Sequence, residues 1–158
     1  MPRIVLHTSI AAPIERCFDL ARSIDLHMAS TDWSGERAVA GVTSGLIGPG
    51  QEVTWRGRHF GFTLTHTSRI TAYERPRYFQ DCMLRGRFRR FCHDHHFETR
   101  GDGTLMRDEM EFEAPFWLAG KLLECVVLEH HMRTLLERRN RCIREAAESG
   151  DWQRYLRS

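Results

Sequence analysis

The chain has 158 residues, 41% of them hydrophobic, with 23 basic and 21 acidic side chains. That supports one globular domain with its own core and excludes a disordered chain. A net charge of +2 lacks the basic bias of a nucleic-acid-binding surface, and nucleic acid is not an expected partner.

No apolar stretch approaches the roughly 18 residues of a membrane span. The longest, LLECVVL at 122–128, is interrupted by Glu124, so no integral membrane association is expected. The opening apolar run reaches Glu15 and Arg16 too soon for a signal peptide. Cys17, Cys82, Cys92, Cys125 and Cys142 are scattered, with no CxxC pair. They read as reduced thiols in a cytoplasmic protein, with Cys125 a small core residue.

In chain order, 3–10 alternates and is rich in β-branched residues, which predicts a strand. Pro13 suits the first turn of a helix over 13–21, with a second short helix near 23–27. The glycine-rich stretch 31–50 reads as a loop, with a short strand near 36–40, forming a rim around a pocket. From Gln51 the period is two. Strands are expected at EVTWRG, at 60–70, at 77–84, at 87–99 and from Thr104 to Ala114, joined by short turns such as Arg100-Gly-Asp-Gly103. Short connections specify an antiparallel meander. From about 118 to 148 the pattern is helical, with Leu118, Leu122, Cys125, Glu129, Met132 and Leu136 near one stripe. Residues 1–150 make one domain and 151–158 a C-terminal tail.

The densest chemical signal is R89-R-F-C-H-D-H-H-F-E98. As a strand it divides. Arg89, Phe91, His93, His95 and Phe97 share one face, while Cys92, Asp94 and His96 fall on the other. Two imidazoles two apart on a strand can reach one metal ion, but zinc needs further ligands. His66, Glu129 or His130 could supply them, yet nothing in the sequence places them there. The expectation is therefore no metal and no cofactor, with the histidines as hydrogen-bonded polar groups on the wall of an apolar pocket. Asp108, on the face of Met106, Met110 and Phe112, is a carboxylate at the sheet margin or turned into that pocket. Arg85, Arg87, Arg89 and Arg90 read as a solvated hairpin rim beside Gly86.

Four passages resemble the START/Bet v 1-like superfamily, also called SRPBCC or polyketide cyclase/dehydrase-like proteins. They are A12-P-I-E-R-C-F18, R69-I-T-A-Y-E-R-P-R-Y-F79, L84-R-G-R-F-R-R-F-C-H-D-H-H-F97 and D108-E-M-E-F-E-A-P-F116. The third is similar to a segment of a bacterial ligand-binding subgroup, with Phe91 where tryptophan is usual there. The resemblance implies an α+β helix-grip fold. In it a curved seven-stranded antiparallel sheet wraps a long C-terminal helix, with two short helices after strand 1 and a hydrophobic cavity between sheet and helix.

The function this implies is binding of a small apolar or aromatic molecule in that cavity. Its sheet wall is expected from Trp55, Phe62, Leu64, His66, Phe91, His93, His95 and Phe97, and its helix wall from Leu122, Val126 and Glu129. The alternative is a cyclase or dehydratase with His93 or His95 as acid/base and His66 or Asp108 as the orienting group. A third reading is a protein-interaction module, and the expected assembly is a monomer or weak dimer.

Overall fold

The computed structural model describes residues 1–118 and 120–157. Seven strands form one antiparallel sheet. They are β1 (Arg3–Ile10), β2 (Arg37–Gly41), β3 (Glu52–His59), β4 (Phe62–Glu74), β5 (Tyr78–Arg85), β6 (Arg90–Arg100) and β7 (Gly103–Glu113). Their order across the sheet is β1-β7-β6-β5-β4-β3-β2. After β1 come two short helices, α1 (Ile14–Ala21) and α2 (Ile24–Ser30), and after β7 the long helix α3 (Leu122–Glu148).

Local chemistry accounts for the boundaries. Pro13 stands at the N-cap of α1, where its missing N–H costs nothing. Ser23 caps α2, its hydroxyl oxygen accepting from the Leu26 amide at 3.2 Å. The hairpin at 100–103 turns on Gly101, whose φ of +56° is open to glycine at little cost. In α1, Cys17, Phe18, Leu20 and Ala21 are buried. Phe18 meets Tyr73, Phe79 and Phe97 edge-on, with centroids 5.3–5.4 Å apart, a favourable aromatic geometry. A second apolar group gathers Ile4, Phe91, Met110, Phe112, Leu128 and Leu136.

Residues 152–156 of the tail form a further helix, α4 (Trp152–Leu156). The Arg16 guanidinium lies 4.3 Å from the centre of the Trp152 ring, and Tyr155 and Leu156 pack against the same core as α1. No helix among the described residues is long and apolar enough to cross a membrane.

Two expectations are corrected. The five thiols are not all free, because Cys82 and Cys92 are joined in a disulfide. The register of β5 and β6 places them directly opposite each other. Cys17, Cys125 and Cys142 are free. The face of α3 is also different. Leu122 and Val126 point to solvent, 81% and 55% exposed. The buried side runs through Leu128, Leu136, Asn140, Ile143 and Ala147. The first turns of α3 are apolar on both sides, so hydrophobic periodicity there does not identify the inner face.

Candidate ligand cavity and its polar hub

A cavity of about 250 Å³ opens between the sheet and α3. Its apolar wall includes Ile47, Val53, Trp55, Leu64, Ile70 and Phe91 from the sheet side, and Leu128, Met132, Leu135 and Leu136 from α3. It is just under the ~300–1,000 Å³ of pockets for drug-sized molecules. It exceeds the ~150 Å³ that admits benzene. The fitting occupant is a compact molecule.

Of the expected wall, Trp55, Leu64, His66, Phe91, His93 and His95 do line the cavity. Five residues do not. Phe62 is 70% exposed at the start of β4, where the hairpin carries it past the edge of the core. Phe97 is buried beneath α1 against Phe18 and Phe79, on the predicted face but beyond the cavity. Leu122 and Val126 lie on the outer face of α3, and half-buried Glu129 stands outside the lining.

The chemistry concentrates where β5, β6 and β7 run side by side. Register places Asp81 opposite His93 and Asp108 opposite His95. The polar contacts run along the diagonals, the reach expected of long side chains on one sheet face. His93 Nε2 lies 2.9 Å from Asp108 Oδ1, and His95 Nε2 lies 2.9 Å from Asp81 Oδ2. His95 Nδ1 is 3.0 Å from Asp108 Oδ1, but outside the geometry of a hydrogen bond, so this buried nitrogen has no hydrogen-bond partner. From α3, Asn140 Nδ2 donates to Asp108 Oδ2 at 2.8 Å, and an Arg139 nitrogen stands 3.6 Å from Asp108 Oδ1. Phe79 stacks on His95 with ring centres 4.0 Å apart.

Asp108 is wholly buried. Burial alone would raise its pKa, but the His93 hydrogen bond and the close approach and charge of both His93 and His95 outweigh that and hold it well below the ordinary carboxylate range. Asp81 behaves alike. Its burial is overcome first by the His95 hydrogen bond, and its pKa falls to about 2. His93 is lowered as well, which for an imidazole favours the neutral form. Desolvation, then repulsion from His95, lowers it to about 4 against a partial pull from Asp108, so it is neutral near pH 7. Of the two expected orienting groups, Asp108 meets both histidines. His66 does not; it pairs with Ser68 Oγ at 2.9 Å and stands edge-on to Phe91.

A second polar group borders the cavity at the β3–β4 hairpin. Glu36 meets His27 Nε2 at 2.6 Å and His59 Nε2 at 3.3 Å, and His59 Nδ1 is 3.2 Å from His131 Nε2. His27 also stacks on Trp55 with centroids 4.1 Å apart. Sequence reasoning passed over Asp81, Arg139, Asn140 and this group. For Asp81 a signal existed. Strand alternation in Y78-F-Q-D-C-M83 puts Phe79, Asp81 and Met83 on one face, with Phe79 as its apolar marker.

A curved antiparallel sheet gripping one long helix, with a cavity between them, is a helix-grip fold, as expected from the sequence. Solved structures show the same architecture. TTHA0849 from Thermus thermophilus superposes with a TM-score of 0.71 at 20% identity, over 94% of this chain and 100% of that one. The major latex-like protein 151 of Panax ginseng gives a TM-score of 0.64 at 15% identity, over 94% and 98%. CV1439 from Chromobacterium violaceum gives 0.65 at 12%, over 93% and 97%. At these identities the likeness is one of fold. No protein-family model matches the sequence, and no curated protein matches it.

Proposed function

We propose that the protein binds a compact apolar or aromatic molecule, of one or two rings, that presents a polar group to Asp81, His93, His95 and Arg139. The observation carrying this reading is the 250 Å³ cavity, apolar over most of its wall and polar at the hub. That is the composition of sites which bury a ligand and fix its orientation through a few polar contacts. Helix-grip proteins as a class have such a cavity, which adds support to binding as a function without naming a ligand. The cytoplasmic setting expected from the thiols loses part of its support once two of them are joined.

Native mass spectrometry of freshly purified protein, followed by displacement of a fluorescent apolar dye, tests the reading. Wild-type protein is expected to carry a ligand mass or to bind the dye. A Leu135→Trp variant, which fills the cavity, is expected to do neither. Equal dye binding by both proteins, with no retained ligand, would sink the reading.

A second reading, acid/base catalysis of cyclase or dehydratase type, is favoured by Asp108 lying within 3.0 Å of His93 and His95 nitrogens. A carboxylate behind an imidazole fixes its tautomer and orientation. A molecule retained by wild type but chemically converted on incubation, and left unconverted by His93→Ala or His95→Ala, would select this reading.

A further inference from the structure

We propose that Asp81, His93 and His95 form a binding site for one borderline divalent transition-metal ion, such as Zn²⁺ or Fe²⁺. The ion would face the cavity, with Asp108 orienting its imidazole ligands from behind. The site goes beyond the ligand-binding reading, because it requires no organic molecule to be present.

The first support is geometric. Asp81, His93 and His95 each offer one ligand atom, and these atoms all lie within 4.8 Å of one another. Two imidazoles and a carboxylate are the donors of three-ligand sites that keep coordination positions open. All three residues line the cavity, so the open positions would face its contents. The sequence supplied the histidine pair. The third ligand comes from the neighbouring strand, where register sets Asp81 opposite His93.

The second support lies behind the histidines. Metal-bound imidazoles characteristically donate their other N–H to a carboxylate, which fixes tautomer and ring orientation. Asp108 Oδ1 is 2.9 Å from His93 Nε2 and 3.0 Å from His95 Nδ1. If it accepts from both, the remaining nitrogen of each ring carries a lone pair. Asp108 is itself held by Asn140 at 2.8 Å. In that arrangement one fully buried carboxylate would serve two imidazoles.

The third support is a proton count. His95 faces a carboxylate from each of its nitrogens, Asp81 at 2.9 Å and Asp108 at 3.0 Å. A neutral imidazole has one N–H and can satisfy only one of them. A metal ion bound to the second nitrogen would supply the other contact. A metal between His95 Nε2 and Asp81 leaves Nδ1–H free to serve Asp108, the nitrogen that otherwise lacks a hydrogen-bond partner. An organic molecule entering the cavity would complete the coordination sphere through an oxygen, which suits a carboxylate, phenolate or enolate.

The test uses tag-free full-length chain, stripped with chelator and titrated with Co²⁺ and Zn²⁺. Wild type is expected to take up one ion per chain and to show the visible Co²⁺ absorption of a low-coordinate site. Asp108→Asn is expected to weaken binding by roughly 10- to 100-fold, the usual effect of an outer partner. Asp81→Asn, which keeps an acceptor for His95, is expected to weaken it more. No stoichiometric uptake by wild type, or equal uptake by Asp81→Asn, overturns the proposal. Should a variant fail to fold, Co²⁺ broadening of imidazole resonances in wild type decides. Broadening centred on His93 and His95 supports the site, and broadening confined to other histidines overturns it.

Discussion

Asp108 and Asn140 meet across the interior, the carboxylate on β7 accepting from the amide on α3 at 2.8 Å, with both side chains buried. The contact anchors the helix to the sheet at the polar hub. Removing one member of a buried charged network strands the rest and costs about 3–5 kcal/mol. Asp108→Ala is therefore expected to lose about that much stability, with Asn140→Ala losing less. Urea denaturation followed by far-UV circular dichroism measures both.

Stability should fall on the acid side in two stages. His93 is held neutral, its pKa lowered from 6.5 to about 4. Between these values the unfolded chain binds the extra proton, so stability is complete above about pH 6.5 and declines towards pH 4. The slope is at most about 1.4 kcal/mol per pH unit, some ~3 kcal/mol in all. Below the ordinary carboxylate range, Asp81 and Asp108 add to the loss, since both are depressed in the fold. Urea midpoints from pH 7.5 to about 2 give the curve, down through the depressed carboxylates. A His93→Gln variant with an unchanged slope between pH 6.5 and 4 would contradict the assignment.

The corrected face of α3 predicts a sharp contrast between neighbouring substitutions. Leu128 and Leu136 are 8% and 2% exposed, and each Leu→Ala change should cost about 2–5 kcal/mol. Leu122→Ala and Val126→Ala should stay within about 0.5 kcal/mol of wild type. They should also leave dye binding unchanged. Melting curves and one titration for each variant are sufficient.

Filling the cavity separates binding from folding. Leu135→Phe adds volume beside open space, so its stability cost should fall below the about 1–3 kcal/mol usual for overpacking. Affinity for any occupant of the cavity should drop by ~10-fold or more, since a tenfold loss needs only about 1.4 kcal/mol. Calorimetry on the retained ligand or the displaced dye reads this directly.

Much of the architecture was legible because strand alternation is a short-range signal. The face shared by Phe91, His93 and His95 followed from counting by two, and that face lines the cavity. What was not legible depends on partners distant in the chain. Asp81 becomes a neighbour of His95 only through the β5–β6 register, and Arg139 and Asn140 reach Asp108 only once α3 has been laid across the sheet. Periodicity also failed where it had no contrast to work with. Residues 122–127 of α3 are apolar on two faces, so periodicity points Leu122 and Val126 inward although both are exposed. Phe97 shows a further limit, since its face was right, but α1 and not the cavity covers that part of the strand. The opposition of Cys82 and Cys92 again required strand register, which spacing alone does not provide.

The hub on β5, β6 and β7 has members on both sides of the cavity, because Arg139 and Asn140 belong to the helix. An occupant that draws Arg139 towards its own acid group would loosen one of the two polar links, Arg139 and Asn140 to Asp108, that join the helix to the sheet. On the binding reading proposed above, recognition at the polar end would be coupled to the clasp of the helix. The protein would register its cargo as a small change in how firmly its long helix is clasped.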